Sequence, residues 1–499
     1  MLVAALGAFV SATFPVTAIL AQADMAAGFS APADDASWLV TLYNIGQLFG
    51  LPITFVLAGM LGRRRAMLLV AGGFSAASLA VALAPTLAWG LAARTLQGFF
   101  GGMLPVLMFI VLFSTLPPGP GRTRGLAGFA LATSVGAGLA AWIGGVLLAL
   151  GGWQMLFHAQ AALGLLYLLM AAPLFRADPL NPAAARATDW TGYLLLSGGL
   201  GCLVLALAEG ERRFWFETWW IGASLLAGAV LTGTALRHLW LADAPLLRFS
   251  LFRKPFTLAI ALQLLFRIGT LLAVWIAPQY LMRIAGFRIE QIALALLPLS
   301  LGTAAGVGLA FWLAPRLDQR IVLSSSLALM AAAALACAGL GPDWGVAQFW
   351  PPMLLAGLGQ GLFSLSTLHF AILRMERSEG ATCGIVFNYG RVFGQMGGLA
   401  WFGHLVNERE KFHSARLGEP LHLLDPQTLQ ALQQSAGSIG TWLSDPAAAQ
   451  AAASAGLAQR IARQAYAMAY GDTFLMAAAV AALALVLAWA MPAYRSPRA

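Results

Sequence analysis

Three arginines stand where charge is costly. Arg94, Arg267 and Arg391 each lie inside a long apolar run, and each has an amide side chain close by in sequence. Gln97 follows Arg94 by three residues and Gln263 precedes Arg267 by four, while Asn388, Arg391 and Gln395 are spaced i, i+3, i+7. Residues at those spacings share a helix face. A charged side chain at mid-bilayer costs at least about 2.5–3.5 kcal/mol on insertion scales, so such groups usually face a cavity or a partner. The competing fate of each arginine is to snorkel to an interface or bond a helix-end carbonyl. No Asp or Glu falls in the middle of an apolar run; Asp24, Glu209 and Asp472 stand only at run ends. The buried charge is therefore expected to be wholly positive. A guanidinium is a planar fork of donors that matches a carboxylate. The chemistry implied is recognition of a hydrophobic anion such as an aromatic acid, a fatty acid or an acidic xenobiotic. Arg94, Gln97, Gln263, Arg267, Asn388, Arg391 and Gln395 are all expected to line one central cavity.

Proton coupling needs a group that titrates near neutral pH. With no acid inside the runs, the candidates are His158 and His369. The competing role of each is that of a hydrogen-bonded structural histidine. Gly390, Gly394 and Gly398 form a second stripe beside Arg391, one that lets another helix approach closely. Trp142 and Trp275 sit deep enough to touch an apolar compound, with packing as their alternative role.

These residues need membrane helices to position them. The chain has 499 residues, of which 60% are hydrophobic and only 10% charged, and its mean hydropathy is +0.78. A soluble domain carries about 25% charged residues, so the chain is an integral membrane protein. Its net charge of +9 is spread over short loops, which is topogenic charge and excludes a nucleic-acid stripe. Cys202, Cys337 and Cys383 show neither CxxC nor metal spacing. Leu2 to Gln22 has no basic lead-in and reads as a retained first helix.

Fourteen runs reach the roughly 20 apolar residues that a span needs. They fall at about 2–22, 37–61, 66–86, 88–113, 125–149, 153–175, 191–208, 219–241, 256–278, 290–313, 321–341, 347–370, 383–405 and 471–492. With both ends cytoplasmic, the inside loops hold most of the Lys and Arg, including Arg63, Arg64 and Arg65, as the positive-inside rule requires. The one long loop, 407–470, is then external, and its Asp425-Pro426 step signals surface helices. Two weak repeats relate the halves. Leu57-Ala58-Gly59-Met60-Leu61-Gly62-Arg63-Arg64 is echoed by Leu313-Ala314-Pro315-Arg316-Leu317-Asp318-Gln319-Arg320, and Gln97-Gly98-Phe99-Phe100 by Gln360-Gly361-Leu362-Phe363. The organisation expected is a six-helix bundle over 1–176, two inserted spans over 177–255, and a second six-helix bundle over 256–499. Two similar bundles place a binding site between them near mid-membrane.

The sequence resembles the major facilitator superfamily, specifically its fourteen-helix drug:proton antiporter branch, over nearly its whole length. SWLVTLYNIGQLFGLPI, from Ser37, is similar to that branch's second helix, and RTLQGFFGG, from Arg94, to its fourth-helix motif. GRRR, from Gly62, resembles the end of its loop 2–3 motif, and GGWQMLFHAQAALG, from Gly151, the start of its sixth helix. RQAYAMAYGDTFLMAA, from Arg463, resembles the start of the last helix in pumps that work with a periplasmic adaptor. Three features depart from the branch. Gly59 replaces the loop 2–3 aspartate, Phe14 replaces the first-helix aspartate, and the fifth-helix motif before Gly144 and Gly145 lacks its proline.

The resemblance implies an all-α major facilitator fold in a bacterial inner membrane, with alternating access driven by a proton gradient. Gly62, Arg63, Arg64, Gly144 and Gly145 would belong to its gating motifs, and the partners would be a small-molecule substrate, protons, the bilayer and a periplasmic adaptor. No Walker loop, zinc cluster or hydrolase motif is present, so no enzyme, cofactor or metal site is expected. Efflux is the leading reading; an importer or facilitator of the same fold, and a non-transporting scaffold, are its rivals.

Overall fold

The computed structural model describes every residue except 1–5, 8, 11, 14–16, 20, 116–119, 174–177, 254, 377–378, 420–425, 443–444 and 496–499. Backbone polar groups in lipid must be satisfied within the segment, which makes helices the default for each apolar run. Spans two to fourteen each coincide with a described helix. Phe14 and Asp425 lie outside the described residues, and the first span is described only in part, helical where it is seen.

Two helices hold a pair of spans each. Trp38–Ala82 contains spans two and three, broken at Gly62, whose φ of 77° and ψ of 164° lie outside the helical region. Pro120–Ala171 contains spans five and six, broken at Gly151 and Gly152, the latter with φ 68°. Glycine tolerates such angles without a Cβ penalty. Span four is Leu87–Thr115, span seven Trp190–Glu209 and span eight Trp219–Leu241. Span nine runs through Phe256–Leu271, a π-helical turn at Leu272–Ile276 and Ala277–Arg283. Spans ten, eleven and twelve are Ile289–Leu313, Gln319–Ala338 and Val346–Ile372.

The last two spans outrun their expected ends. The thirteenth helix is Gly380–Gly418 and the fourteenth Pro446–Ala488. With Pro426–Gly440 packed against the latter, most of the 407–470 loop is helical. The face carrying these helices is the loop face. The opposite face, with Gly62–Arg65 and Tyr494, is the arginine face.

The two repeats have structural meaning. Gly98 packs against the Tyr43 backbone of span two and Gly361 against the Thr303 backbone of span ten. Each glycine thus joins the fourth helix of its unit to the second. The other repeat holds the segment that follows its unit's sixth helix. Arg63 takes Asp178 there, and in the second half Gln319 N–H donates to Tyr494 O at 2.8 Å, while Tyr494 N–H donates to Asp318 Oδ1 at 3.2 Å.

The halves meet along two seams. Spans five and ten run close enough that a Cβ on Gly145 would lie 3.1 Å from Glu290 Cα, and Leu126 packs with Leu362, Leu365 and Leu368 nearer the arginine face. On the other side, Tyr389 O–H in span thirteen donates to Leu48 O in span two at 3.2 Å. The inserted spans cover this second seam, with Leu196, Val204, Ala235 and Leu239 packed among Leu48, Leu51, Ile385 and Val392.

Candidate functional site

Three separate spaces are ranged as a column between the halves. At the loop face is a chamber lined by Ser37, Thr41, Trp275, Gln279, Arg283 and Asn407, among others. Below it lies a cavity lined by Asn44, Gln47, Thr133, Ser134, Arg267, Thr270, Gln360, Arg391 and Gln395. Gln263, Arg267, Ser364, Asn388 and Arg391 then line a third space with Phe266, Phe363 and Phe387. The room narrows from about 330 Å³ in the chamber to about 70 Å³ at the arginines and about 50 Å³ below them. The column is wide toward the loop face and tight toward the arginine face.

Packing of glycine against helix brings Arg267 and Arg391 together. A Cβ on Gly394 would come within 2.7 Å of both Arg267 Cβ and Leu264 O, and one on Gly390 would lie 3.6 Å from Ile260. Only a bare backbone lets span thirteen lie this close to span nine. Each helix then turns its arginine into the same space. Among the described residues neither guanidinium has a hydrogen-bond or ion-pair partner, and Arg267 Nε is buried without one. None of the residues lining the cavity at their level is an acid. Phe266 stacks on Phe363 at 3.6 Å between centroids, giving the lower space an aromatic wall. The arrangement offers charge-assisted donors and an apolar surface together, which suits an amphiphilic anion.

Arg94 and Gln97 are not in this column, which corrects the expectation that they line it. Arg94 is 1% exposed, its Nε donates to Leu39 O at 3.0 Å, and its Nη1 donates to Gln97 Oε1 at 2.6 Å. Its guanidinium lies 4.3 Å from the Tyr43 ring centroid. Gln97 Nε2 donates to Ser78 Oγ at 2.7 Å and to Gln160 Oε1 at 2.6 Å. Spans two, three and six supply enough acceptors to hold the pair inside the first bundle, so it forms a polar knot there.

The two histidines also lie away from these spaces. His158 is exposed on the outside of the bundle, its Nδ1 2.9 Å from Gln154 O. His369 is buried but faces Tyr494, with ring centroids 6.5 Å apart, at the far end of span twelve. Neither is among the residues lining the column. Trp142 is exposed beside a lateral groove, whereas Trp275 does line the chamber. The expectation that all buried charge is positive also fails. Glu209 is 0% exposed, because Ser37 and Thr41 of span two cover it.

Gly62 is buried against Asp178. A Cβ on it would lie 2.5 Å from Asp178 Cβ, and Arg63 N–H donates to Asp178 Oδ2 at 3.0 Å. Arg63 Nε donates to the same oxygen at 3.3 Å and Arg65 Nη1 to Asp178 O at 3.2 Å. The Arg63 hydrogen bonds hold the Asp178 carboxyl below the usual carboxylate range. Arg64 Nε, by contrast, is buried without a partner. This clamp ties loop 2–3 to the linker that precedes the inserted spans. Gly144 packs near Thr17, at 3.5 Å for an added Cβ.

Sequence reasoning missed Asn44, Gln47, Thr133, Ser134 and Gln360. Asn44 and Gln47 carried a usable signal, since they are polar, three apart and inside an apolar run.

Residues 1–399 match the Major Facilitator Superfamily. The chain belongs to that family. It is a membrane transporter, and the family is not an enzyme class. It is 23% identical over 425 residues to the colistin resistance protein EmrB of Acinetobacter baumannii, covering 84% of this chain and 82% of that one. To the fatty acid resistance protein FarB of Neisseria gonorrhoeae it is 25% identical over 403 residues, covering 79% and 78%. Among solved structures it is similar to the proton:xylose symporter XylE. That similarity has a TM-score of 0.62 at 12% identity, with 99% of this chain and 96% of that one covered, and it shows the fold alone.

Proposed function

We propose that the protein exports hydrophobic, acidic small molecules across a bacterial inner membrane, by alternating access driven by a proton gradient. One observation carries the choice of cargo: Arg267 and Arg391 open onto the same cavity, and no acid lines it. A cationic compound would meet two like charges there, whereas a carboxylate would meet a pair of donors. Leu271, Val274 and Val392 in that cavity, and the stacked phenylalanines below it, suit the apolar part of such a molecule.

The positive-inside rule assigns the loop face to the outside. The column, wide at that face and tight at the other, then corresponds to an outward-facing stage of the cycle. The end of Gly380–Gly418 and the helix Pro426–Gly440 would give a periplasmic adaptor a surface to meet, with Trp442 beside them 90% exposed. Relatives named for fatty acid and for colistin resistance are both consistent with efflux, but they name different cargoes.

The test is a pump-deficient strain challenged with decanoate and, separately, with ethidium, with and without this gene. Protection against decanoate that disappears in Arg267→Ala, while the variant still inserts, is the expected result. Protection against ethidium alone would overturn the cargo assignment.

A further inference from the structure

Span nine lines every level of the column. Gln263 and Arg267 line the lowest space, Leu271 and Val274 the cavity above it, and Trp275, Gln279 and Arg283 the chamber at the loop face. An unbroken α-helix would not do this. Sixteen residues separate Arg283 from Arg267, and over that distance an α-helix turns the second side chain about 160° away from the first. The π-helical turn at Leu272–Ile276 changes the count. It holds one residue more than an α turn, which removes about 100° and leaves about 60° between the two side chains. Turns of this kind recur at functional sites. Here the turn brings a second arginine round to the side of the column that Arg267 occupies.

Arg283 is placed to receive an anion. It is exposed at the chamber, and among the described residues no carboxylate pairs with it. The fourteenth helix holds it, with its guanidinium 4.2 Å from the Tyr466 ring centroid and the Tyr470 hydroxyl as a polar contact. A guanidinium resting on an aromatic face keeps N–H groups for a ligand. The other charges lining the chamber have partners. Arg212 pairs with Asp34 at 3.7 Å. Glu211 accepts from Trp215 Nε1 at 2.9 Å and from Asn407 Nδ2 at 3.0 Å, and it lies 2.9 Å from His404 Nδ1. Glu209 stands behind Ser37 and Thr41, whose hydroxyls contact it. Gln279, one turn before Arg283, adds an amide, and Trp275 adds an apolar plane. The chamber has about 330 Å³ of room, within the range of about 300–1,000 Å³ usual for a small-molecule site.

From this arrangement we propose that Arg283, with Gln279 and Trp275, forms a second anion site at the mouth of the column, which takes the carboxylate of an amphiphilic acid after it leaves Arg267 and Arg391. The proposal rests on the acidic-cargo reading above and adds an outer station to it. About 24 Å of helix rise separates Arg283 from Arg267, so one carboxylate engages one arginine or the other. A carboxylate that meets a charge-assisted donor at the mouth leaves the inner pair without first recovering all of its hydration.

Gly403 lines the chamber, and a Cβ there would meet nothing within 4 Å. Gly403→Cys, in a variant with Cys202, Cys337 and Cys383 replaced by alanine, therefore reports on occupancy by its reaction with an impermeant maleimide in intact spheroplasts. Arg267→Ala is added to remove binding at the inner pair. Decanoate is expected to slow labelling severalfold in this background, and decyltrimethylammonium is expected to leave it unchanged. Protection by decanoate should be lost in Arg283→Ala and kept in Arg283→Lys. Labelling without decanoate shows that each variant has folded and inserted. Protection that persists in Arg283→Ala, or that is absent whenever Arg267 is, overturns the outer site. Export of decanoate that still depends on Arg267 then keeps the cargo assignment standing. Protection by decyltrimethylammonium alone overturns both. If decanoate protects as expected but the parent does not export it, the outer site holds and the export reading is what falls.

Discussion

Gly394 leaves no space for a side chain beside Arg267: an added Cβ would sit 2.7 Å from the Arg267 Cβ and 2.7 Å from Leu264 O. This contact fixes where Arg391, one turn away on the same helix, meets Arg267. Gly394→Val should therefore destabilise the second bundle by about 1–3 kcal/mol, the usual cost of overpacking. Gly397→Ala, where nothing lies within 4 Å, should be neutral. Thermal melting of the purified variants in detergent distinguishes the two.

The buried arginines should behave differently from one another. Arg267→Ala and Arg391→Ala remove donors that have no protein partner, so both should insert and melt like the parent while losing decanoate export. Arg94→Ala leaves Gln97 Oε1 and Leu39 O without their donor inside the first bundle. A loss of about 1–3 kcal/mol is expected for partners left unsatisfied, seen as a lower melting temperature and lower yield. Equal melting temperatures for the three variants would remove the distinction between a cavity arginine and a knot arginine.

The Arg63–Asp178 clamp should depend on pH in one direction. The Asp178 carboxyl is held below its ordinary range by hydrogen bonds from the Arg63 side chain and backbone, and by the Arg63 charge. A group whose pKa is lowered in the folded state adds stability above its unfolded pKa and loses it as pH falls through the folded value. The clamp should thus hold from neutral pH down to the ordinary aspartate range, near pH 3.8, and release only in stronger acid. Hydrogen exchange of residues 60–65, corrected for intrinsic rate, should stay unchanged between pH 8 and pH 5. Asp178→Asn should raise it at neutral pH.

Topology follows from the charge bias and is directly measurable. In a variant with Cys202, Cys337 and Cys383 replaced by alanine, a cysteine at Trp442 should react with an impermeant maleimide in intact spheroplasts. A cysteine at Arg65 should react only after permeabilisation. The reverse pattern would invert the protein and turn the loop-face chamber into an inward-facing one.

Much of the fold was legible because hydropathy and charge are local properties. Spans two to fourteen coincide with apolar runs, since lipid leaves a backbone no other way to satisfy its polar groups. The glycine stripe at Gly390, Gly394 and Gly398 showed which face of span thirteen would accept a neighbour. Other features were not legible. Arg94 with Gln97 has the same short-range pattern as Arg267 with Gln263, yet one pair is knotted inside a bundle and the other opens onto the column. The difference lies in Leu39, Ser78 and Gln160, acceptors that arrive from three other spans. The long loop was likewise expected to carry surface helices, but the extension of spans thirteen and fourteen into it was not foreseen, because alanine-rich polar sequence has no hydropathy edge to mark the bilayer boundary.

The sequence by itself determined that the chain lives in lipid, where its apolar runs lie and that three of those runs carry an arginine. Each of those follows from residue types read one segment at a time. The tertiary structure decided which charges share a space. It left Arg267 and Arg391 open to a cavity, satisfied Arg94, and buried Glu209, a residue that stands at a helix end in the sequence. Burial and pairing depend on what other helices bring, and no local pattern carries that information.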